Sequence, residues 1–193
     1  MTRLHVTTAI AAALAVMTIP AIAVAGAASA ASKWEPVHEV FGPEVTEDFC
    51  EVPGLTVEQT VVVDGRARTA THGPDGLSHM YEFVTDTVTT TNLATMDFVT
   101  RVATQQFHDV RVTDNGDGTL TVRQQATGTI IFYDQDGQVL SRGAGQFAFE
   151  FLIDHAGTPS DPSDDVFLGF QRVVRQVGKQ VDICDAAVLQ AID

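Results

Sequence analysis

Between Thr56 and Gln176 the chain repeatedly alternates β-branched or aromatic residues with polar ones, the period of a strand that buries one face. Six stretches carry this pattern: Thr56–Asp64, Ser78–Thr91, Met96–Thr113, Thr119–Tyr133, Gln138–Ile153 and Val166–Gln176, separated by turns rich in Gly, Asp and Asn. Only Asp182–Ile192 has helical composition, and it is short. From Trp34 to Pro53, Pro36, Pro43, Pro53 and six acidic residues follow no period. That predicts an irregular lead-in over residues 31–55, ahead of a single β-domain over 56–193. Successive strands with tight connections predict an all-β fold, an antiparallel meander forming a closed or nearly closed barrel, with a short C-terminal helix.

Turn chemistry predicts the register. A primed two-residue turn centred on Asp136-Gly137 sets Ala126, Gln124, Val122 and Leu120 opposite Phe147, Phe149, Phe151 and Ile153, and pairs Arg123 with Glu150 on the other face. A turn at Asp114–Gly118 sets Val112 against Leu120, His108 against Gln124 and Asp109 against Arg123. A turn at Asn92–Thr95 pairs Asp86 with Arg101 and His79 with His108. Charged pairs then share one face and the aromatic row the other, as a half-buried sheet requires. The charged face also receives Met80, Val84, Val88, Val99 and Phe107, so part of it must be covered by other chain or by a partner.

In this register the interior carries five polar side chains among its apolar rows: His79, Tyr81, Gln106, His108 and Gln124. Apolar walls with a few convergent polar groups describe a pocket for a small apolar or amphipathic ligand. The same five groups can also satisfy one another with buried water.

The amino terminus changes the setting. Arg3, an apolar run over Ala9–Ala25 and Ala28-Ser29-Ala30 have the order of a cleavable secretory signal peptide over residues 1–30. A retained membrane anchor needs about 20 continuous apolar residues, and Pro20 interrupts this run. The expected product is secreted, without a stable membrane anchor, and loss of Arg3 shifts its net charge from -14 to -15. Such acidity without a Lys/Arg cluster argues against nucleic-acid binding. In an oxidising compartment Cys50 and Cys184 are expected to form a disulfide closing a loop of about 134 residues.

Chemistry is otherwise sparse. Two histidines on neighbouring strands lack a third ligand, so no metal or cofactor is expected. His38-Glu39 lacks the second histidine of a helical zinc-protease motif, and the Asp114–Gly118 and Asp134–Gly137 turns lack the ligand spacing of an EF-hand. Asp161-Pro162-Ser163-Asp164-Asp165 reads as a solvated loop, with calcium binding as the alternative. There is no Gly-x-Ser-x-Gly elbow and no phosphate-binding glycine loop, so no catalytic residue is designated.

The segments Asp48-Phe49-Cys50, Asp114–Thr119, Tyr133–Gly137 and Gly157–Asp165 resemble a group of small exported actinobacterial proteins of uncharacterised function. That group would carry Pro and Gly where this chain has Leu93 and Met96. More loosely, the meander is similar to the barrels of allene oxide cyclase and of lipocalins, which hold apolar ligands inside. The resemblance implies architecture, and no catalytic residue carries over. Three functions follow as expectations: a secreted β-barrel binding a small, partly apolar ligand; a cyclase- or isomerase-type enzyme using the same cavity; or a cell-envelope interaction module whose outer Met80, Val84, Val88, Val99 and Phe107 meet a partner.

Overall fold

The computed structural model describes residues 33–192, so the signal-peptide segment lies outside the described residues. Seven strands form one antiparallel sheet in sequence order: β1 (Glu35–Thr46), β2 (Val57–His72), β3 (Leu77–Asn92), β4 (Phe98–Asp114), β5 (Thr119–Tyr133), β6 (Val139–Asp154) and β7 (Val166–Lys179). A four-residue helix, α1 (Ala186–Leu189), follows. The sheet is not closed: among the described residues no ladder joins β1 to β7. The barrel expectation therefore holds for the meander and its order, and the two end strands keep one unpaired edge each.

The proline-rich lead-in is not irregular as expected. Glu35–Thr46 forms the edge strand β1, with Val37 buried and a register shift between Phe41 and Glu44 that accommodates Pro43. A strand can carry proline at an edge or a bulge, where no ladder bond needs its missing N–H. Its weak period follows from the same cause, because only one side of an edge strand is paired.

Cross-strand neighbours divide the sheet into two faces. Val84, Val88, Val99, Phe107 and Val122 lie on the buried one, the inner face. Two inner-face glycines mark close approach of neighbouring strands: a Cβ on Gly65 would stand 2.1 Å from the Phe83 carbonyl oxygen, and one on Gly128 2.3 Å from that of Thr104. Such positions let a sheet bend toward its inner side. Val37 of β1 accordingly belongs to one cluster with Val84, Phe107 and Ala126, against which Phe147 and Phe149 of β6 pack.

One end of the sheet is sealed by the chain segments outside it. Leu55, Val57, Val99, Phe132, Val188 and Ile192 form a core there, and Asn92 Nδ2 donates to the Ile192 carbonyl oxygen at 2.7 Å. The Cys50–Cys184 disulfide, as expected, ties a short 3-10 turn (Phe49–Glu51) to the segment entering α1. A recess of about 180 Å³ lined by Val52, Leu55, Ala186, Leu189 and Gln190 lies beside it, below the range of about 300 Å³ upward that small-molecule sites occupy.

The β5–β6 register is the expected one, with Gln124 opposite Phe149 and Arg123 opposite Glu150. The loop is wider than two residues, since Asp134 Oδ1 accepts from the backbone N–H groups of Asp136 and Gln138. The β4–β5 register differs. A bulge between Asp109 and Arg111 inserts Val110, so Asp109 rather than His108 lies opposite Gln124. A one-residue offset exchanges the faces of a strand. Everything N-terminal to the bulge in β4, and β3 paired to it, is thereby turned over relative to the expectation.

Candidate functional site

Turning β3 and β4 over brings carboxylates inside. Glu82, Val84, Asp86 and Val88 of β3 share the inner face with Arg101, Ala103, Gln105, Phe107 and Asp109 of β4, and Glu82 is directly opposite Phe107. Glu82 is 3 % exposed, and among the described residues its carboxyl receives no hydrogen bond. Burial raises its pKa to about 7, with further contributions from the charges of Glu39 and Asp109. Desolvation favours the neutral carboxylic acid, which can donate as well as accept a hydrogen bond.

Asp109 is the better-served neighbour. Its Oδ2 accepts from the Met80 backbone N–H at 2.7 Å and its Oδ1 from Gln124 Nε2 at 2.9 Å. Burial still pushes its pKa up, opposed by those hydrogen bonds and by His79 and His108. Its position follows from the bulge, because β3 loses its ladder with β4 beyond Tyr81 and the Asp109 side chain takes the place of a backbone partner. Further along, the Asp86 carboxylate accepts from Arg101 Nη2 and from Gln105 Nε2, so that charge is paired. The β3–β4 register is two residues from the expected one, with Asp86 opposite Ala103 and Tyr81 opposite His108, so the Asp86–Arg101 ion pair is diagonal and lies on the inner face.

The apolar side of this site is the row of phenylalanines on β6 and β7. Ring centroids of Phe149 and Phe151 lie 6.0 Å apart, those of Phe149 and Phe170 6.0 Å, and those of Phe151 and Phe167 5.8 Å. Phe147, Phe149 and Phe151 are half-buried, while Phe167 and Phe170 are exposed. The inner face is thus covered at β3–β5 and open toward β7.

Of the five residues predicted to line the interior, only Gln124 does, through its bond to Asp109. His79, Tyr81, Gln106 and His108 belong to the outer face, because Tyr81 is paired with His108 and His108 with Gln125. Three of them are still brought together there. The Tyr81 and His108 rings stack with centroids 6.4 Å apart, and His72 joins both His79, at 5.1 Å, and Tyr81. Arg66 and Arg68 lie over Trp34, at 4.9 and 4.8 Å, and Arg68 also over Tyr81 at 5.0 Å. This stack fixes Trp34 and the start of β1 against β2 and β3, each contact contributing about 0.5–1 kcal/mol.

Val84, Val88, Val99 and Phe107, expected on an outer surface for a partner, are core, and Met80 is half-buried. Glu82 and Asp109 were not singled out from the sequence. Both share parity with that apolar set, but Asp86 and Arg101 lie on the same face, so alternation alone does not mark it as buried.

Comparison of the chain with protein-family models, curated proteins and solved structures finds no match.

Other acidic groups have local duties. Asp161 accepts from the Ser163 backbone N–H and Asp164 from Thr158 Oγ1. Burial raises the Asp165 pKa to about 6, with Asp164 adding to it. No group of three or more His, Cys, Asp or Glu side chains disposed for a metal ion occurs among the described residues.

Proposed function

We propose that this chain is an exported binding protein that holds a small amphipathic molecule on the inner face of its curled sheet, in the manner of a lipocalin-like container with β1 and β7 as its lips. The observation that carries the reading is Glu82, an almost wholly buried carboxyl without a described hydrogen-bond partner, facing inward beside an open aromatic row. An apolar body would lie against Phe147, Phe149 and Phe170, and a hydroxyl or ammonium group would complete the hydrogen bonding of Glu82 and Asp109. The Cys50–Cys184 disulfide fits the oxidising compartment that export implies.

The test is native mass spectrometry of the exported protein for retained small molecules, followed by calorimetric titration with medium-chain primary amines and alcohols. Binding of at least one series, weakened tenfold or more by Glu82→Gln and by Phe149→Ala, is the expected result. An interior that takes up neither series, with no retained molecule, would remove the reading. A carboxyl titrating near neutrality also suits proton transfer in a cyclase- or isomerase-type reaction on the same ligand. Conversion of a retained molecule, abolished in Glu82→Gln while binding persists, would separate catalysis from storage.

A further inference from the structure

The strand β7 is anomalous for an edge. Of its residues Val166, Phe167, Leu168, Phe170, Val173, Val174 and Val177 are each 36–56 % exposed. Large apolar side chains exposed together along one unpaired edge mark an interaction surface. Charge along the segment is polarised. Asp161, Asp164 and Asp165 precede the strand, its first six residues carry no charge, and Arg172, Arg175 and Lys179 follow, three of the eleven basic residues in a chain of net charge -14. Arg172 is engaged by Glu150, whereas Arg175 and Lys179 form no ion pair among the described residues. The other free edge, β1, carries Glu35, Glu39 and Glu44 and no Lys or Arg, so two β1 edges would repel.

We propose that β7 pairs antiparallel with β7 of a second copy of this chain, across a two-fold axis near Phe170. A two-fold interface must be complementary to itself, each residue meeting its mate's partner reciprocally. Antiparallel pairing of a strand that is acidic before its start and basic toward its end meets that requirement. With the axis at Phe170, Phe167 lies toward the partner's Val173, and Arg175 and Lys179 lie toward the acidic turn Asp161–Asp165 that precedes the partner's strand; the bulges of β7 and the 3-10 turn Pro162–Asp164 make this a match between charged segments rather than between single residues. The apolar centre then lies against its own copy, and the unpaired N–H and C=O groups of the edge complete a ladder. Assembly in the opposite sense, by parallel strands, would set Arg175 beside Arg175 and lose the charge match. The proposal is independent of ligand binding, since it uses the edge and its flanking charges and not Glu82.

Sedimentation velocity of the oxidised protein in low salt, over a micromolar concentration series, tests it with two charge-reversed variants. Wild type is expected to form dimers, Arg175→Glu/Lys179→Glu to dimerise at least tenfold more weakly, and Asp161→Lys/Asp165→Lys likewise. An equimolar mixture of the two variants should recover dimers, because each reversed half then meets an opposite charge on the other chain. Circular dichroism of each variant verifies the sheet, and the first variant alone suffices if the loop substitutions disturb folding. A wild type that stays monomeric throughout, or a dimer that either reversal leaves unchanged, overturns the proposal.

Discussion

Two parts of the same inner face differ in what covers them. At one end the lead-in and the C-terminal segment lie across the sheet, and Val57, Val99, Phe132, Val188 and Ile192 are at most 1 % exposed in a purely apolar cluster. Toward the middle the cover is the sheet itself, Val37 of β1 and Phe147 and Phe149 of β6 packing with Val84 and Phe107, and the face mixes these with the buried Glu82, Asp109 and Gln124. Both regions are built from alternating strands of similar composition. The covering segments give the end an apolar core, whereas the stretch closed by the sheet alone retains groups that cost free energy to bury and therefore have a use other than stability.

The sealed end should be the more fragile to covalent change. Replacing Cys50 and Cys184 together by Ser opens a loop of 134 residues, for which the chain-entropy account gives a loss of about 4–5 kcal/mol. Urea unfolding of the double variant against the oxidised parent measures it. If α1 and the lead-in detach while the sheet persists, the unfolding becomes biphasic, and the apolar end loses its cover. A loss under about 1 kcal/mol would show that the packing of Val188 and Ile192 alone closes that end.

The middle should respond to pH instead. The Glu82 pKa is raised from 4.5 to about 7, so the folded protein binds a proton there that the unfolded chain has released. Its contribution is fully present below about pH 4.5 and is lost as pH rises through about 7, a total of about 3 kcal/mol at 1.36 kcal/mol per pKa unit. Glu82→Gln keeps the shape and removes the titration. The variant should match wild type near pH 4 and exceed it by up to about 3 kcal/mol at pH 8, read as the difference between urea unfolding curves. Equal stabilities at both pH values would mean that water or a countercharge serves the carboxylate.

How much of this was legible before the structure depends on where the chain keeps a constant register. The β5–β6 pairing and the Arg123–Glu150 contact match the register expected from turn chemistry at Asp136-Gly137, because the one register shift, between Phe132 and Tyr133, sits beside the loop and none falls between Phe132 and the pair. The expected glycine at Met96 has a physical basis too, since Met96 holds a φ of 68° in the turn before β4. The placement of His79, Tyr81, Gln106 and His108 failed at one residue, Val110, whose bulge carries no distinctive side chain. A hydrophobic count does not find it: the face with Val84, Val88, Val99 and Phe107 also carries Glu82, Asp86, Arg101 and Asp109, whereas the face with the histidines carries Phe83, Phe98 and Val102 and no formal charge. The lead-in strand was hidden by its prolines, which an edge tolerates and a central strand does not.

The smallest predicted effect contrasts a second glutamate with Glu82. Glu150 lies on the outer face, where its carboxylate accepts from Arg172 Nε at 2.6 Å and from Arg123 Nε at 2.9 Å. Arg172 first, then Arg123, holds its pKa below the ordinary carboxylate range. Here the sign reverses: the contribution is present above that range and is lost as pH falls through it. The Arg172 side chain is mostly exposed, so Arg172→Ala should cost little at neutral pH and low salt. The loss should fade as pH falls below the ordinary carboxylate range and Glu150 takes up a proton, and shrink in molar salt, where exposed charges are screened. Stability curves of Arg172→Ala and Glu82→Gln should therefore both meet wild type at acid pH and depart from it in opposite directions as pH rises. A salt-insensitive loss in Arg172→Ala would assign that residue a packing role on β7 rather than an electrostatic one.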